Sequence, residues 1–387
     1  MVNTLILNKN TGIYIHIPFC RRKCNYCDFY VITNKTLISR VTQNIINEIR
    51  LASENYSNIT FKTIYIGGGT PSIIPFKELE KIIDSLHKYL DISEIDEFTI
   101  EVNPEDICED KDLIRNYAES GINRISLGIQ SLNNSDLKFL SREHDRRQAL
   151  KSIEKCKKYY NNISTDIIYS LPTQNDRSIT YSVKKMVELK IPHISAYTLT
   201  YEPETIIYKK LIQKKLSMKP DSKAAKQYFL ISDFLIECGY QHYEVSNYSI
   251  PGYQSKHNLN YWDNGEYIGF GPSAHSHFGG KRWNNHKNTA RYNIELQENK
   301  SPYENFHTLS KTERETEYIM LKLRSGGIDT EEYCVEFRKD FENHYKSYIK
   351  VLTENSYARY EKGRFRLTLK GYSIADEIIL NFTSKIY

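Results

Sequence analysis

Three cysteines fall within eight residues, Cys20-Arg-Arg-Lys-Cys24-Asn-Tyr-Cys27, on a loop that directly follows an apolar, isoleucine-rich run. The thiolate is the metal-binding form of cysteine, and a C-x3-C-x2-C loop brings three of them to one place. Three such ligands can hold three corners of a cubane iron–sulfur cluster and leave the fourth iron without a protein ligand. That iron is then an open Lewis-acid position for a small chelating molecule, following the rule that an incomplete protein shell marks chemistry. A zinc site is the competing reading. It needs a fourth ligand, and His16 lies on the preceding strand pointing along a different direction. The other cysteines, Cys108, Cys156, Cys238 and Cys334, are scattered singly, which is no disulfide framework.

The elements that must carry this loop are alternating β-rich and helical segments. Ile13 to Phe19, Thr63 to Ile66, Glu97 to Val102, Arg124 to Ile129, Ser164 to Tyr169 and His193 to Leu199 read as strands, each separated by enough chain for a helix and two turns. Helical patterns fill the gaps at Leu37 to Leu51, Phe76 to Leu90, Asp112 to Glu119, Arg147 to Tyr159 and Ile179 to Leu189. Repeated right-handed βα crossovers predict a parallel sheet, and six units are too few for the complete eight-stranded barrel. Polar and glycine residues gather just past the strands: Cys20, Gly67 to Thr70, Asn103-Pro104 and Gln130. In parallel α/β folds that is the edge where ligands bind.

After about residue 205 the alternation stops. A helix from Lys223 to Glu237 leads into an irregular, aromatic stretch, Tyr240 to Trp283; six of the eleven histidines lie in or near it, His242, His257, His275, His277, His286 and His307. Helices at Lys311 to Leu323, Thr330 to Arg338 and Tyr345 to Glu354 then precede a hairpin, Ala358 to Leu369, turned at Lys362-Gly363. That order resembles a winged helix, yet its third helix has no basic stripe, so nucleic-acid binding does not follow.

Composition sets further limits. Lys and Arg total 53 against 48 Asp and Glu, a net charge of +5 with the signs interspersed along 387 residues, which excludes a general nucleic-acid surface. Hydrophobic residues at 40% and charged residues at 26% exclude a disordered or fibrous chain. No run approaches the roughly 18 apolar residues of a spanning helix. The start, MVNTLILNKN, lacks a basic head, an apolar stretch and a cleavage site, so a cytoplasmic protein is expected.

The run Tyr14-Ile-His16-Ile-Pro18-Phe19-Cys20, the cysteine spacing and the aromatic Tyr26 before the third cysteine resemble the radical S-adenosylmethionine (SAM) superfamily. Further motifs extend the resemblance over nearly the whole chain: Gly67-Gly-Gly69-Thr70-Pro71, Glu101-Val-Asn103-Pro104, Ser126-Leu-Gly128-Ile-Gln130, Asp166-Ile-Ile-Tyr-Ser-Leu-Pro172 and His257-Asn-Leu-Asn-Tyr261-Trp262. They are similar to the branch of oxygen-independent coproporphyrinogen III oxidases and HemW haem chaperones. The resemblance implies a partial (β/α)6 barrel over residues 1–205, with a [4Fe-4S] cluster on Cys20, Cys24 and Cys27 at its open mouth and the SAM site beside it. Residues 206–308 are then an extension with a candidate haem motif, and 309–387 a small α+β, winged-helix-like module. By matching motif positions, Tyr14, Tyr26, Gly68, Gly69, Thr70, Glu101, Gln130, Arg142 and Asp166 resemble the SAM contacts of this branch. The glycines can bring backbone N–H groups close to a ligand, Arg142 can hold a carboxylate by two parallel bonds, and Glu101 or Asp166 can accept from hydroxyls or an amino group. In SAM enzymes of this type an electron from the reduced cluster cleaves the sulfonium, and the protein positions the pair and excludes water and oxygen.

Two departures favour the chaperones over the oxidases. The oxidases carry a long segment before the cluster and a further cysteine just after the third; here 13 residues precede Tyr14, and Cys27 is followed by Asp28-Phe29. HNLNYW resembles the HN-x-x-YW motif of haem-binding members, which makes His257 the candidate haem ligand, with Tyr261 beside it and His275 and His277 in competition. The expected function is a chaperone that binds a cluster, SAM and haem and passes haem to acceptor haemoproteins. The alternative is a radical enzyme acting on a tetrapyrrole, such as the coproporphyrinogen oxidase. Arg21, Arg22 and Lys23 flank the cluster loop and favour an acidic electron donor such as a flavodoxin. Ser170 stands where the family pattern has glycine before Leu-Pro.

Overall fold

In the computed structural model, which describes residues 11–384, the six expected strands are consecutive parallel neighbours. They are β1 (Gly12–Ile17), β2 (Thr63–Gly68), β3 (Glu97–Val102), β4 (Arg124–Gln130), β5 (Ile163–Tyr169) and β6 (His193–Thr198). The segment 1–10, read above for export signals, lies outside the described residues.

Within these strands runs a period of two that sets the character of the barrel. Ile13, Ile15 and Ile17, Ile64 and Ile66, Phe98, Ile100 and Val102, and Ile125, Leu127 and Ile129 are at most 4% exposed and share one core with the surrounding helices. Those helices match them with apolar stripes at helical spacing, Val41, Ile45 and Ile49 in Ile38–Ala52 and Leu79, Ile82, Ile83 and Leu86 in Phe76–Tyr89. The alternate strand positions are polar or small: Tyr14 and His16, Tyr65 and Gly67, Thr99 and Glu101, Arg124, Ser126 and Gly128, Ser164 and Asp166, His193 and Ser195. Register lines them up across strands, Glu101 beside Ser126, Ser126 beside Ser164 and Ser164 beside His193. Parallel strands covered by helices on both faces read as unbroken apolar runs. These alternate because only the outer face meets helices, while the inner face borders a polar lumen.

The stretch Tyr240 to Trp283, expected to be irregular, carries strands instead. They are β7 (Gln241–Glu244), β8 (Asn247–Ser249), β9 (Tyr267–Phe270), β10 (His275–Phe278) and β11 (Lys281–Asn285), and β12 (Tyr303–Thr308) follows. They extend the barrel sheet at both edges, β8 antiparallel to β6 and β9 parallel to β1, giving the order β12-β11-β10-β9-β1-β2-β3-β4-β5-β6-β8-β7. Most are too short and too polar for alternation to announce them. A helix, Lys256–Trp262, lies between β8 and β9 in sequence.

The C-terminal part builds its own core around Phe341, Tyr345, Phe365 and Phe382. The three expected helices are present, beside a sheet of β13 (Ile328–Asp329), β14 (Ala358–Glu361) and β15 (Arg364–Leu367). Lys362 (φ 53°) and Gly363 (φ 76°) form the turn between β14 and β15, a pair of left-handed residues of the kind a two-residue hairpin favours. A further helix, Ala375–Thr383, packs on Lys311–Leu323. No helix among the described residues is long and apolar enough to cross a membrane.

Candidate functional site

Cys20 leaves the C-terminal end of β1, and its loop is stitched back onto the barrel. Cys20 N–H donates to the Ile32 carbonyl (3.0 Å), Ile32 N–H to the Pro18 carbonyl (2.7 Å) and Ile207 N–H to the Asn25 carbonyl (3.1 Å). Arg21 braces the outer side, Nε to Asp106 Oδ1 at 3.1 Å and Nη1 to Glu109 Oε1 at 2.9 Å. Those contacts commit the Arg21 charge within the chain; Arg22, though exposed, lies 3.7 Å from Glu143, and Lys23 is exposed beside it.

Cys20, Cys24 and Cys27 are free thiols on the wall of one cavity. Cys20 Sγ lies 3.3 Å from Thr70 Oγ1, and Arg142 Nη1 donates to Cys24 Sγ at 3.8 Å. Burial pushes the Cys20 thiol up to about 12 and raises Cys27 as well. Such thiols ionise against compensating positive charge, which a metal supplies. Among the described residues no three His, Cys, Asp or Glu side chains are gathered on one ion. Three thiolates on one loop are the donor set of a cluster held by one thiolate per iron. His16, the alternative zinc ligand, has both ring nitrogens engaged, Nδ1 with the Tyr14 hydroxyl (3.1 Å) and Nε2 with the Tyr30 carbonyl (3.1 Å).

Gly68, Gly69 and Thr70 at the end of β2 line the same cavity. Gly68 sits at φ 106°, where a Cβ would fall 2.6 Å from the His16 ring, and a Cβ on Gly69 would fall 2.6 Å from the Phe19 carbonyl oxygen. The glycines are therefore required by the close approach of β2 to the chain entering the three-cysteine loop. Their amides are already engaged: Gly68 N–H on Glu101 Oε2 (3.2 Å), Gly69 N–H on the Ile17 carbonyl (2.8 Å) and Thr70 N–H on the Phe19 carbonyl (2.7 Å). The expectation that this segment presents N–H groups to a ligand gives way to one in which it presents bare backbone surface.

The cavity, about 420 Å³, runs from this mouth into the polar lumen. Of the expected SAM contacts, Tyr26, Gly68, Gly69, Thr70, Glu101, Gln130, Arg142 and Asp166 line it; Tyr14 does not, its hydroxyl being turned to His16. Arg142 is the arginine of its neighbourhood that reaches the cavity, since Arg146 stacks on Tyr181 (4.7 Å) and Arg147 is exposed. Its Nη2 donates to Asn103 Oδ1 (2.6 Å) and the Gly128 carbonyl (3.2 Å), so it stands as a fixed positive charge beside Cys24 rather than as a free fork. Gln130 holds φ 62° at the end of β4, a left-handed conformation of the kind found where function constrains the backbone. Asn103, read above at the ligand edge, and Ser126, read as a motif residue, also line the cavity; Tyr65, Arg124 and Ser195 line it too and escaped the sequence reading, the inward half of the strand alternation being their signal.

Of the five acidic side chains that line the cavity, Asp28, Glu101, Glu105, Glu143 and Asp166, two come from the barrel strands, Glu101 and Asp166. Glu101 accepts from the Tyr65 hydroxyl (2.8 Å), and burial, with Asp166 nearby, pushes it up to about 7. Asp166 accepts from Ser126 Oγ (3.3 Å) and is likewise raised by burial. Carboxyls held up in this way favour a ligand that brings positive charge to them.

The candidate haem ligands lie elsewhere. His257 is 1% exposed on the helix Lys256–Trp262, with Nδ1 bonded to Thr63 Oγ1 (2.8 Å) and Nε2 to the Tyr261 hydroxyl (2.8 Å). Burial lowers its pKa to about 3, so it is a neutral imidazole clamped at both nitrogens. His277 is buried with Nδ1 against the Gly265 carbonyl (3.2 Å), whereas His275 on β10 is exposed.

Residues 14–186 match the Radical SAM superfamily. The chain is 35% identical to "Heme chaperone HemW" of Lactococcus lactis subsp. lactis over 97% of this chain and 98% of that one. It is 30% identical to "Heme chaperone HemW" of Bacillus subtilis over 96% and 99%. In fold it is similar to the coproporphyrinogen III oxidase HemN of Escherichia coli, a radical SAM enzyme, with a TM-score of 0.83 at 19% identity over 97% of this chain and 90% of that one. A cysteine loop at the mouth of a partial parallel barrel, joined to relatives of the same length, means that the chain belongs to the radical SAM superfamily and, within it, to the HemW family.

Proposed function

We propose that this protein is a haem chaperone that carries a [4Fe-4S] cluster on Cys20, Cys24 and Cys27, takes SAM into the cavity below it, binds haem and passes it to acceptor haemoproteins. The observation that carries the reading is the placement of three free thiols and two raised carboxyls, Glu101 and Asp166, around one cavity. The cluster, when bound, supplies an open iron and single-electron reduction. The chain's residues do the rest. Glu101 and Asp166 meet the positive charges of the ligand, Arg142 holds a fixed cation beside Cys24, and the Gly68–Thr70 backbone lets the ligand approach without a side chain between. The division at residues 205 and 308 belongs to the same reading: 206–308 completes the edges of the barrel sheet, and 309–387 carries a core of its own. A cytoplasmic site of action and an acidic electron donor such as a flavodoxin, docking beside Arg22 and Lys23, complete it.

The haem half rests on the HN-x-x-YW motif and on the relatives' printed function. The test is anaerobic reconstitution with iron and sulfide, then haem titration and a SAM-dependent assay on coproporphyrinogen III in one preparation. Iron at a cluster's stoichiometry, tight haem binding and an unchanged porphyrinogen are expected. Decarboxylation of the porphyrinogen, with 5′-deoxyadenosine released in step, would replace the chaperone by the oxidase.

A further inference from the structure

Arg124 opens β4, whereas the three-cysteine loop leaves the C-terminal end of β1, so Arg124 lines the cavity at the end far from the thiols. It is 2% exposed. A guanidinium stays charged in a protein and carries five N–H donors. Arg124 Nε has no hydrogen-bond partner among the described residues, and the closest approach of the side chain to a carboxylate is 3.8 Å, to Glu97 Oε2, which is beyond a hydrogen bond. Glu97 is committed elsewhere: it accepts from Ser255 Oγ (3.2 Å), Lys256 N–H (2.9 Å) and His257 N–H (3.1 Å) at the start of the helix Lys256–Trp262. The neighbours that feel the Arg124 charge do not answer it. His193 and His257 are neutral imidazoles, lowered first by burial and then by Arg124. Each has both ring nitrogens bonded, His193 to Ser164 Oγ (2.7 Å) and the Tyr243 hydroxyl (2.8 Å), His257 to Thr63 and Tyr261. A buried cation with its donors unmet is costly until an acceptor reaches it, and the open side of Arg124 is the cavity.

We propose that Arg124 forms a carboxylate subsite at the floor of the cavity, holding the acid group of a small ligand by two parallel N–H···O bonds. The planar fork matches a carboxylate or a phosphate. Charge decides between them. Glu97 stands beside Arg124, and register sets Arg124 level with Thr99 and places Glu101 and Asp166 further along their strands, toward the mouth. Those acids repel a phosphate dianion more than a monocarboxylate. Acids toward the mouth and a cation at the floor are both satisfied by a zwitterion lying along the lumen. Two sources bring such a carboxylate: SAM itself, or a separate small acid.

The test is the melting temperature of the full-length protein in sodium propionate, against propionamide and sodium chloride at equal ionic strength. Propionate is expected to raise it with concentration, as a ligand of the folded state does, and propionamide to leave it unchanged. Arg124→Gln is expected to weaken propionate about ten- to a hundredfold, the range for bonds to a charged group. Arg124→Lys keeps a charge opposite Glu97 without the planar fork; it is expected to weaken propionate about tenfold, and it carries the comparison if the glutamine variant does not fold. A wild-type protein that answers propionate no more than propionamide overturns the subsite without any variant, and so does a propionate response equal in the wild type and a folded variant. Inorganic phosphate binding more tightly than propionate overturns the choice of a carboxylate. These outcomes do not depend on the reading of the mouth as a SAM site. In the cluster-reconstituted protein, SAM weakened by Arg124→Lys, with its decarboxylated analogue unaffected, assigns the carboxylate to SAM; SAM affinity untouched by a substitution that weakens propionate assigns it to a separate acid.

Discussion

Glu101→Gln tests the electrostatic design of the cavity. Burial raises Glu101 from an ordinary 4.5 to about 7, which corresponds to roughly 3 kcal/mol against its ionised form. The folded carboxyl thus keeps its proton up to about pH 7, while the unfolded one loses it near 4.5. A cationic ligand that pairs with the carboxylate must displace that proton at any pH below 7. Between pH 5.5 and 7 the α-amino group of SAM stays protonated, so the dependence belongs to the protein, and Glu101 contributes about a tenfold gain in SAM affinity per pH unit. Asp166, raised by the same burial, adds its own share. Calorimetry in two buffers of different ionisation enthalpy counts the protons released. At pH 6 Glu101→Gln is expected to release about one proton fewer, and at pH 8, where Glu101 is already ionised, to bind SAM more weakly by about ten- to a hundredfold, the worth of a charge-assisted bond. An equal proton count in the two proteins at pH 6 would refute the reasoning.

Three further outcomes follow from the same geometry. Cys24→Ala is expected to lose the cluster absorbance and most of the bound iron, while Cys108→Ala, whose thiol lies outside the cavity lining, keeps both; equal loss in the two would show that the three-cysteine loop is not the cluster site. Ser170, the departure from the family's glycine, holds φ 64°, so Ser170→Gly is expected to stabilise the fold by about 1 kcal/mol, read as a rise of a few degrees in melting temperature. Burial also holds Glu48 and Glu244 up near 7. Their folded values exceed their unfolded ones, so the stability they contribute is complete below about pH 4.5 and is lost as pH rises through 7, by up to about 3 kcal/mol each. Because the buried histidines His16, His193, His242 and His257 act in the opposite direction, the test is the difference from Glu244→Gln: from pH 5 to 8 the wild-type urea midpoint is expected to lose ground relative to the variant, and an equal change in both proteins would contradict it.

The cysteine loop at the end of the first strand and the six barrel strands were legible because each rests on local pattern: the spacing of Cys20, Cys24 and Cys27, and β-rich runs at regular intervals for the sheet. What was not legible depends on contacts between distant segments. The glycines of the Gly67 to Thr70 segment announce close approach, but not which group approaches; the chain on either side of Pro18 fills that place and takes the amides. Arg142 read as a carboxylate clamp because its partners, Asn103 and Gly128, lie on other elements. His257 read as an open ligand because nothing in HNLNYW reveals that Thr63, far away in sequence, bonds its second nitrogen. The polar alternation of Thr99, Glu101, Arg124, Ser126 and Asp166 was present in the sequence and is the observation from which the lumen could have been drawn.

That alternation also explains how the barrel tolerates its contents. An inner face of aliphatic side chains would make a tighter core, as it does in closed barrels filled by layers of Val, Ile and Leu. Here the outer face supplies the apolar burial, with an isoleucine row on β1 and its continuation across β2, β3 and β4, and the inner face is left free to carry groups that weaken the empty fold. Glu101 and Asp166 are such groups: burial drives both upward, and Tyr65 and Ser126 relieve them only in part. A cationic ligand removes that penalty by restoring the charge the carboxyls are denied, so part of its binding energy comes from strain already present in the free protein. The motif helix reaches the same cavity: Glu97 holds its N-terminal end, Thr63 holds its histidine, and Asn258, next in sequence, lines the cavity.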